Sequence, residues 1–185
     1  MSVSIEVKSD AVDKAQKYLA GVPGGFETAL MRSFNRALQE GRTAAVRETT
    51  RQYTVKARDV RPTFKMQRAS RADLSASLES KGGRLPLSTF AHRPSTDTTG
   101  ANRKQVRVGV KKGGLKPLGQ AFVHKGRILQ RLGRTSYPVQ QKFGPSIPSM
   151  LDNDEVVDKV VETMNKSVEK RLEHETLRIL DGAVK

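Results

Sequence analysis

The chain has 185 residues, no cysteine, and 34 Lys and Arg against 19 Asp and Glu, for a net charge of +15. Without cysteine there is no disulfide framework and no thiolate metal site. No segment approaches the roughly 18 consecutive apolar residues of a membrane-spanning helix, and an N-terminus with no apolar stretch behind a basic one predicts a soluble chain without a signal peptide.

The length predicts a single domain over residues 1–185. An apolar fraction of 36% predicts a lean core and much surface that is polar or covered by partners. The charge points to a polyanionic partner, either DNA or an acidic protein surface, and composition does not separate the two.

In chain order, Val3, Ile5 and Val7 alternate with polar residues and predict a short strand. Asp10 stands as the N-cap of a brief helix marked by Val12, Ala15, Tyr18 and Leu19, which ends near Gly21 before Pro23. From Phe26 to Tyr53 the apolar residues keep helical spacing, predicting one long helix. Gly41 interrupts it at a propensity cost of about 1 kcal/mol. It marks either close packing against another element or a tolerated surface glycine. One or two further helical turns are expected before Pro62, closing a helical region 10–62.

A region of sheet and basic hairpins is expected over 72–144. Leu74, Ala76 and Leu78 alternate with polar residues as a strand with one buried face, and Gly82-Gly83 supplies a turn. Residues 85–90 read as a packed edge or corner piece, because Pro86 cannot sit inside a central strand. Residues 91–104 form the clearest loop. Val106, Val108 and Val110 make a strand closed by the turn at Lys111–Gly114. Ala121–Val123 and Ile128-Leu129 flank Lys125-Gly126 as a second hairpin, and Tyr137–Phe143 supply a further strand.

A long amphipathic helix is expected over 150–181. Asp152 and Glu155 form an acidic capping pair at its start, and Gly182 terminates it. The fold class is therefore α+β: a small, mainly antiparallel sheet with long hairpins, packed by a long helix of the N-terminal half and a long C-terminal helix.

Catalysis finds little support. His92, His124 and His174 fall in a loop, a hairpin and the last helix, with no metal-ligand spacing. The acids Asp152, Asp154, Glu155 and Asp158 offer paired carboxylates in principle, but their place at a helix start fits capping better. Gly109–Gly114 with Lys116 lacks the Gly-Lys-Ser/Thr order of a phosphate loop. No enzyme activity, metal or cofactor is expected.

The most informative feature is a stretch from Thr98 to Leu151 without a single Asp or Glu. It carries Arg103, Lys104, Arg107, Lys111, Lys112, Lys116, Lys125, Arg127, Arg131, Arg134 and Lys142. Such a surface contacts DNA phosphates with counterion release, or it docks on an acidic ring. Phe64, Tyr137 and Phe143 read as core residues rather than base-stacking platforms.

Several stretches resemble the phage minor tail protein Z family: Ser33–Ala37, Leu85-Pro86-Leu87 followed by Phe90, Arg131–Arg134 leading to Tyr137-Pro138, and Phe143–Met150 with its Gly-Pro-Ser-Ile-Pro run. The order and spacing agree across nearly the whole chain. The resemblance implies a non-enzymatic virion protein, assembled in the host cytoplasm, that completes the head-proximal end of the tail and meets the tail terminator and neck proteins. It further implies self-association compatible with a six-fold ring. Gly144, Pro145, Ile147, Pro148, Leu172, Ile179 and Leu180 are the interface candidates. The alternative is a DNA-binding protein, without sequence specificity, that contacts the genome end.

Overall fold

The computed structural model describes residues 2–4, 10–98 and 104–183. Its elements in chain order begin with β1 (Ser2–Ser4), α1 (Asp10–Leu19), α2 (Gly25–Gln52), α3 (Ala57–Val60), β2 (Phe64–Gln67), β3 (Ser77–Ser80), β4 (Arg84–Pro86) and β5 (Ala91–Arg93). There follow β6 (Arg107–Gly109), β7 (Lys116–Pro117), β8 (Ala121–His124), β9 (Arg127–Arg131), β10 (Val139–Gln141), β11 (Phe143–Ser146), α4 (Ile147–Leu151) and α5 (Asp154–Ala183). The class is α+β, as expected. Every strand pair described is antiparallel, but the strands form four small sheets rather than one.

The chain divides into two compact units that do not follow its order. One gathers Met1–Val46, Phe64–Lys81 and Asp152–Lys185; the other gathers Arg47–Thr63 and Gly82–Leu151. The expected sequential regions 10–62, 72–144 and 150–181 are thus redistributed.

In the first unit the aliphatic stripes of three helices close on one another. Ala15 and Leu19 of α1, Ala29 and Leu30 of α2 and Leu172 of α5 form a buried cluster, against which Val12, Phe26, Phe34, Ile179 and Leu180 pack. Tyr18, expected on the apolar face of α1, points to solvent instead. Gly41 is buried: a Cβ placed there would stand 2.5 Å from Cγ and Sδ of Met164, so the glycine lets α5 approach α2. The surface reading of Gly41 is thereby excluded.

The Asn35 side chain accepts from the Ala69 N–H at 3.0 Å and donates to its carbonyl at 2.9 Å, saturating both backbone groups of a residue outside any strand. The strand expected around Leu74, Ala76 and Leu78 begins only at Ser77. Before it, Asp73 folds back to accept the Ser75 N–H, a local turn that competes with extended pairing. β3 pairs with β1 and with β2, a strand the sequence pattern did not reveal. Ile5 and Val7 lie outside the described residues.

Helix α5 is capped by Asn153 rather than Asp152. Its side chain accepts the Glu155 N–H and its carbonyl accepts the Val156 N–H at 2.9 Å. The helix also continues through Gly182. Leu172 is fully buried and so serves the chain's own core, while Ile179 and Leu180 are half-buried and pack on its cluster.

In the second unit, Gly82-Gly83 does not close a hairpin: β4, which follows, pairs with the distant β11. The register shifts between Phe143 and Ser146, a bulge that accommodates Gly144 and Pro145. A Cβ on Gly144 would lie 2.7 Å from the Phe90 ring and 3.1 Å from Leu87, so the stretches 85–90 and 143–150 that carried the family resemblance pack directly on each other. Ile147 is therefore a core residue and Gly144 a half-buried packing residue of this unit, while Pro145 and Pro148 are half-buried.

Candidate interaction surface

Three hairpins of the second unit present the acid-free stretch, and each is built by local chemistry. The β6–β7 hairpin turns through Gly113 (φ 124°) and Gly114 (φ 138°), conformations that side chains disfavour. It is pinned by Thr54, which donates to the Gly109 carbonyl and accepts the Ala91 N–H at 3.1 Å. The Lys112 N–H donates to Gln52 at 2.8 Å. Lys111, Lys112 and Lys116 line the depression inside this hairpin.

The β8–β9 hairpin turns on Lys125 and Gly126 alone, both left-handed (φ 47° and 71°), which is the two-residue turn that suits the twist of paired strands. Asp97 accepts the Lys125 N–H at 2.9 Å and lies 3.3 Å from the His124 ring, while Thr98 accepts the Val123 N–H at 2.8 Å. Part of the segment expected as a loop, Ala91–Arg93, is instead strand β5, paired with β6.

The third hairpin, β9–β10, carries the stretch 131–140, in which every residue is exposed. Leu132 is 61% and Tyr137 77% exposed, beside Val139, Arg131 and Arg134. Arg131 stacks over the Phe122 ring at 4.8 Å, which orients its charge without neutralising it. Tyr137 and Phe143 are therefore not the core residues expected. Their sequence neighbours hold the available signal: Leu132-Gly-Arg-Thr-Ser-Tyr-Pro has no alternating apolar partner for Tyr137.

Eighteen of the 34 basic side chains but only three of the 19 acidic ones belong to the second unit. That unit therefore carries the entire +15, while the first holds sixteen of each sign. All three acids of the second unit are locally engaged: Glu48 with Arg47 and Arg51, Asp59 with Arg58, and Asp97 at the β8–β9 turn.

Among the described residues, Lys104, Arg107, Lys111, Lys112, Lys116, Lys125, Arg127, Arg131 and Arg134 are exposed, and none pairs with a carboxylate. Lys142 is half-buried. Arg103 lies outside the described residues. Solvated cations without carboxylate partners, on hairpins whose backbone is pinned by hydrogen bonds, are suited to engaging an anionic surface.

The residues weighed for chemistry do not converge. His92 and His124 belong to the second unit, and His174 is exposed on α5 in the first. Among the described residues no three His, Asp or Glu gather as metal ligands, and no helix is long and apolar enough to cross a membrane. No known protein family matches the chain, no curated protein is similar to it, and no solved structure matches its fold.

Proposed function

We propose that this chain is a structural protein of a phage virion. It completes the head-proximal end of the tail, binds the tail terminator and neck ring, and so enables head-tail joining, acting by binding rather than by catalysis. The observation that carries the proposal is the concentration of all net charge in one unit, displayed as unpaired cations on pinned hairpins. The family resemblance supplies the setting. Its stretches at 85–90 and 143–150 lie on opposite sides of one packing contact, which is consistent with their order being set by a shared fold.

Binding of DNA at the genome end is the second reading, favoured specifically by the three lysines inside the β6–β7 hairpin. The experiment replaces Lys111, Lys112 and Arg127 together by Glu in a phage that depends on this chain. The expected result is a folded subunit and complete heads and tails that fail to join, since reversed charge meets an acidic partner with repulsion. Normal yields of infectious particles would overturn the docking role. Retention of duplex DNA by purified wild-type chain, falling steeply with salt and lost in the triple variant, would transfer the surface to the DNA reading.

A further inference from the structure

The β9–β10 hairpin combines features that a phosphate backbone does not require. Leu132 and Val139 are aliphatic and exposed beside Tyr137, and water-exposed aliphatic groups gathered at a hairpin tip gain most from a partner that is itself apolar. The flanking Arg131 and Arg134 restrict that partner to one whose apolar patch is rimmed by carboxylates.

The chain itself displays such a patch. On the first two turns of α5, Asp154, Val157, Asp158 and Val161 stand three and four residues apart and so share one face. Val161 is 36% exposed, and Asp154 and Asp158 are exposed and, among the described residues, in no ion pair. Their positions at the helix start suit the dipole, but the dipole does not require a half-buried Val157 and an exposed Val161 on the same face.

We infer that the β9–β10 hairpin of one copy docks on the α5 patch of a second copy, Leu132 and Tyr137 against Val157 and Val161, Arg131 and Arg134 against Asp154 and Asp158. The two surfaces are different, so the contact is head-to-tail: each copy in it keeps one hairpin or one patch free for a further copy. Association then propagates rather than stopping at a symmetric dimer. The contact does not depend on the role in a tail.

Two variants of the full chain test this, and both alter exposed side chains only. One, Leu132→Ser with Tyr137→Ser, disables the hairpin; the other, Asp158→Lys with Val161→Lys, disables the patch. Unchanged circular dichroism verifies folding. In analytical ultracentrifugation the wild type should associate with concentration and dissociate as salt rises, and each variant alone should associate at least about tenfold more weakly. Mixed together, the two variants should form a one-to-one pair that grows no further, because the only remaining intact surfaces are one hairpin and one patch. A wild type that remains monomeric, a hairpin variant that associates like the wild type, or a mixture that forms no pair overturns the inference. So does a hairpin variant that keeps its self-association and loses only a short DNA duplex.

Discussion

The two units of this chain meet the folding problem in opposite ways. The first uses long helices whose aliphatic stripes close on each other, and its sixteen cations are matched by sixteen anions, several of them paired, such as Arg32 with Glu175 at 3.0 Å. The second uses strands of two to five residues, held by turns and by hydrogen bonds from Thr54, and it carries +15 with every acid already engaged. Self-repulsion of that size opposes compactness in the second unit and is absent from the first.

The largest effect should come from breaking the neutral unit. Leu172 is fully buried at the centre of its cluster, and Leu172→Ala removes side-chain contacts that the rigid helices recover only in part, a loss of about 2–5 kcal/mol. Chemical denaturation should show the unfolding free energy falling by that amount. An effect below 0.5 kcal/mol, the range of ordinary surface substitutions, would mean that α5 is not the keystone of that unit.

A smaller effect is expected where the charged unit is held by polar contacts. Thr54→Val keeps the shape but leaves the Ala91 N–H and the Gly109 carbonyl without their partner, costing about 1–3 kcal/mol. Amide exchange at Ala91 should accelerate while exchange across α1 and the Leu172 turn of α5 stays as in the wild type. Equal acceleration in both units would abolish the distinction drawn between them.

The smallest effect concerns charge pairing in the neutral unit. The Ser167 hydroxyl beside it, followed by Arg36 at 2.9 Å and the nearby Arg171, holds the Glu40 carboxyl below its ordinary value of 4.5. Because the folded state binds this proton less readily than the unfolded one, the contribution is fully present above pH 4.5 and is lost as pH falls through the lowered folded value. Glu40 is partly exposed, so Glu40→Gln should cost under about 1 kcal/mol at neutral pH. The gap between variant and wild type should close in acid. A gap that stays constant down to pH 3, well under the ordinary carboxylate range, would assign the loss to shape rather than charge.

Much of this architecture was legible beforehand. The long helices at Gly25–Gln52 and Asp154–Ala183 announce themselves because an apolar stripe repeats at helical spacing over many turns, and the hairpin at Lys125-Gly126 because two short apolar runs flank a glycine-bearing pair. The acid-free stretch was equally visible, since charge is a property of composition. The exposed basic residues of the second unit were therefore legible as charge, although Leu132 and Val139 were not included and Tyr137 was assigned to the core.

By itself, then, the sequence determined where the long helices lie, where the Lys125-Gly126 turn falls and which stretch is uniformly basic, all of them properties decided within a few residues of each other. Only the tertiary structure decided that β4 pairs with β11 some sixty residues away, that Gly144 receives the Phe90 ring, that Leu172, Ile179 and Leu180 face inward, and that Tyr137 faces out. It also decided that three separated segments make a neutral unit while the segments between them hold all the net charge. A short strand of three or four residues has two faces and several antiparallel partners of similar local quality. Which pairing wins depends on the loops it closes and on the side chains it buries far along the chain, and no local pattern records those quantities.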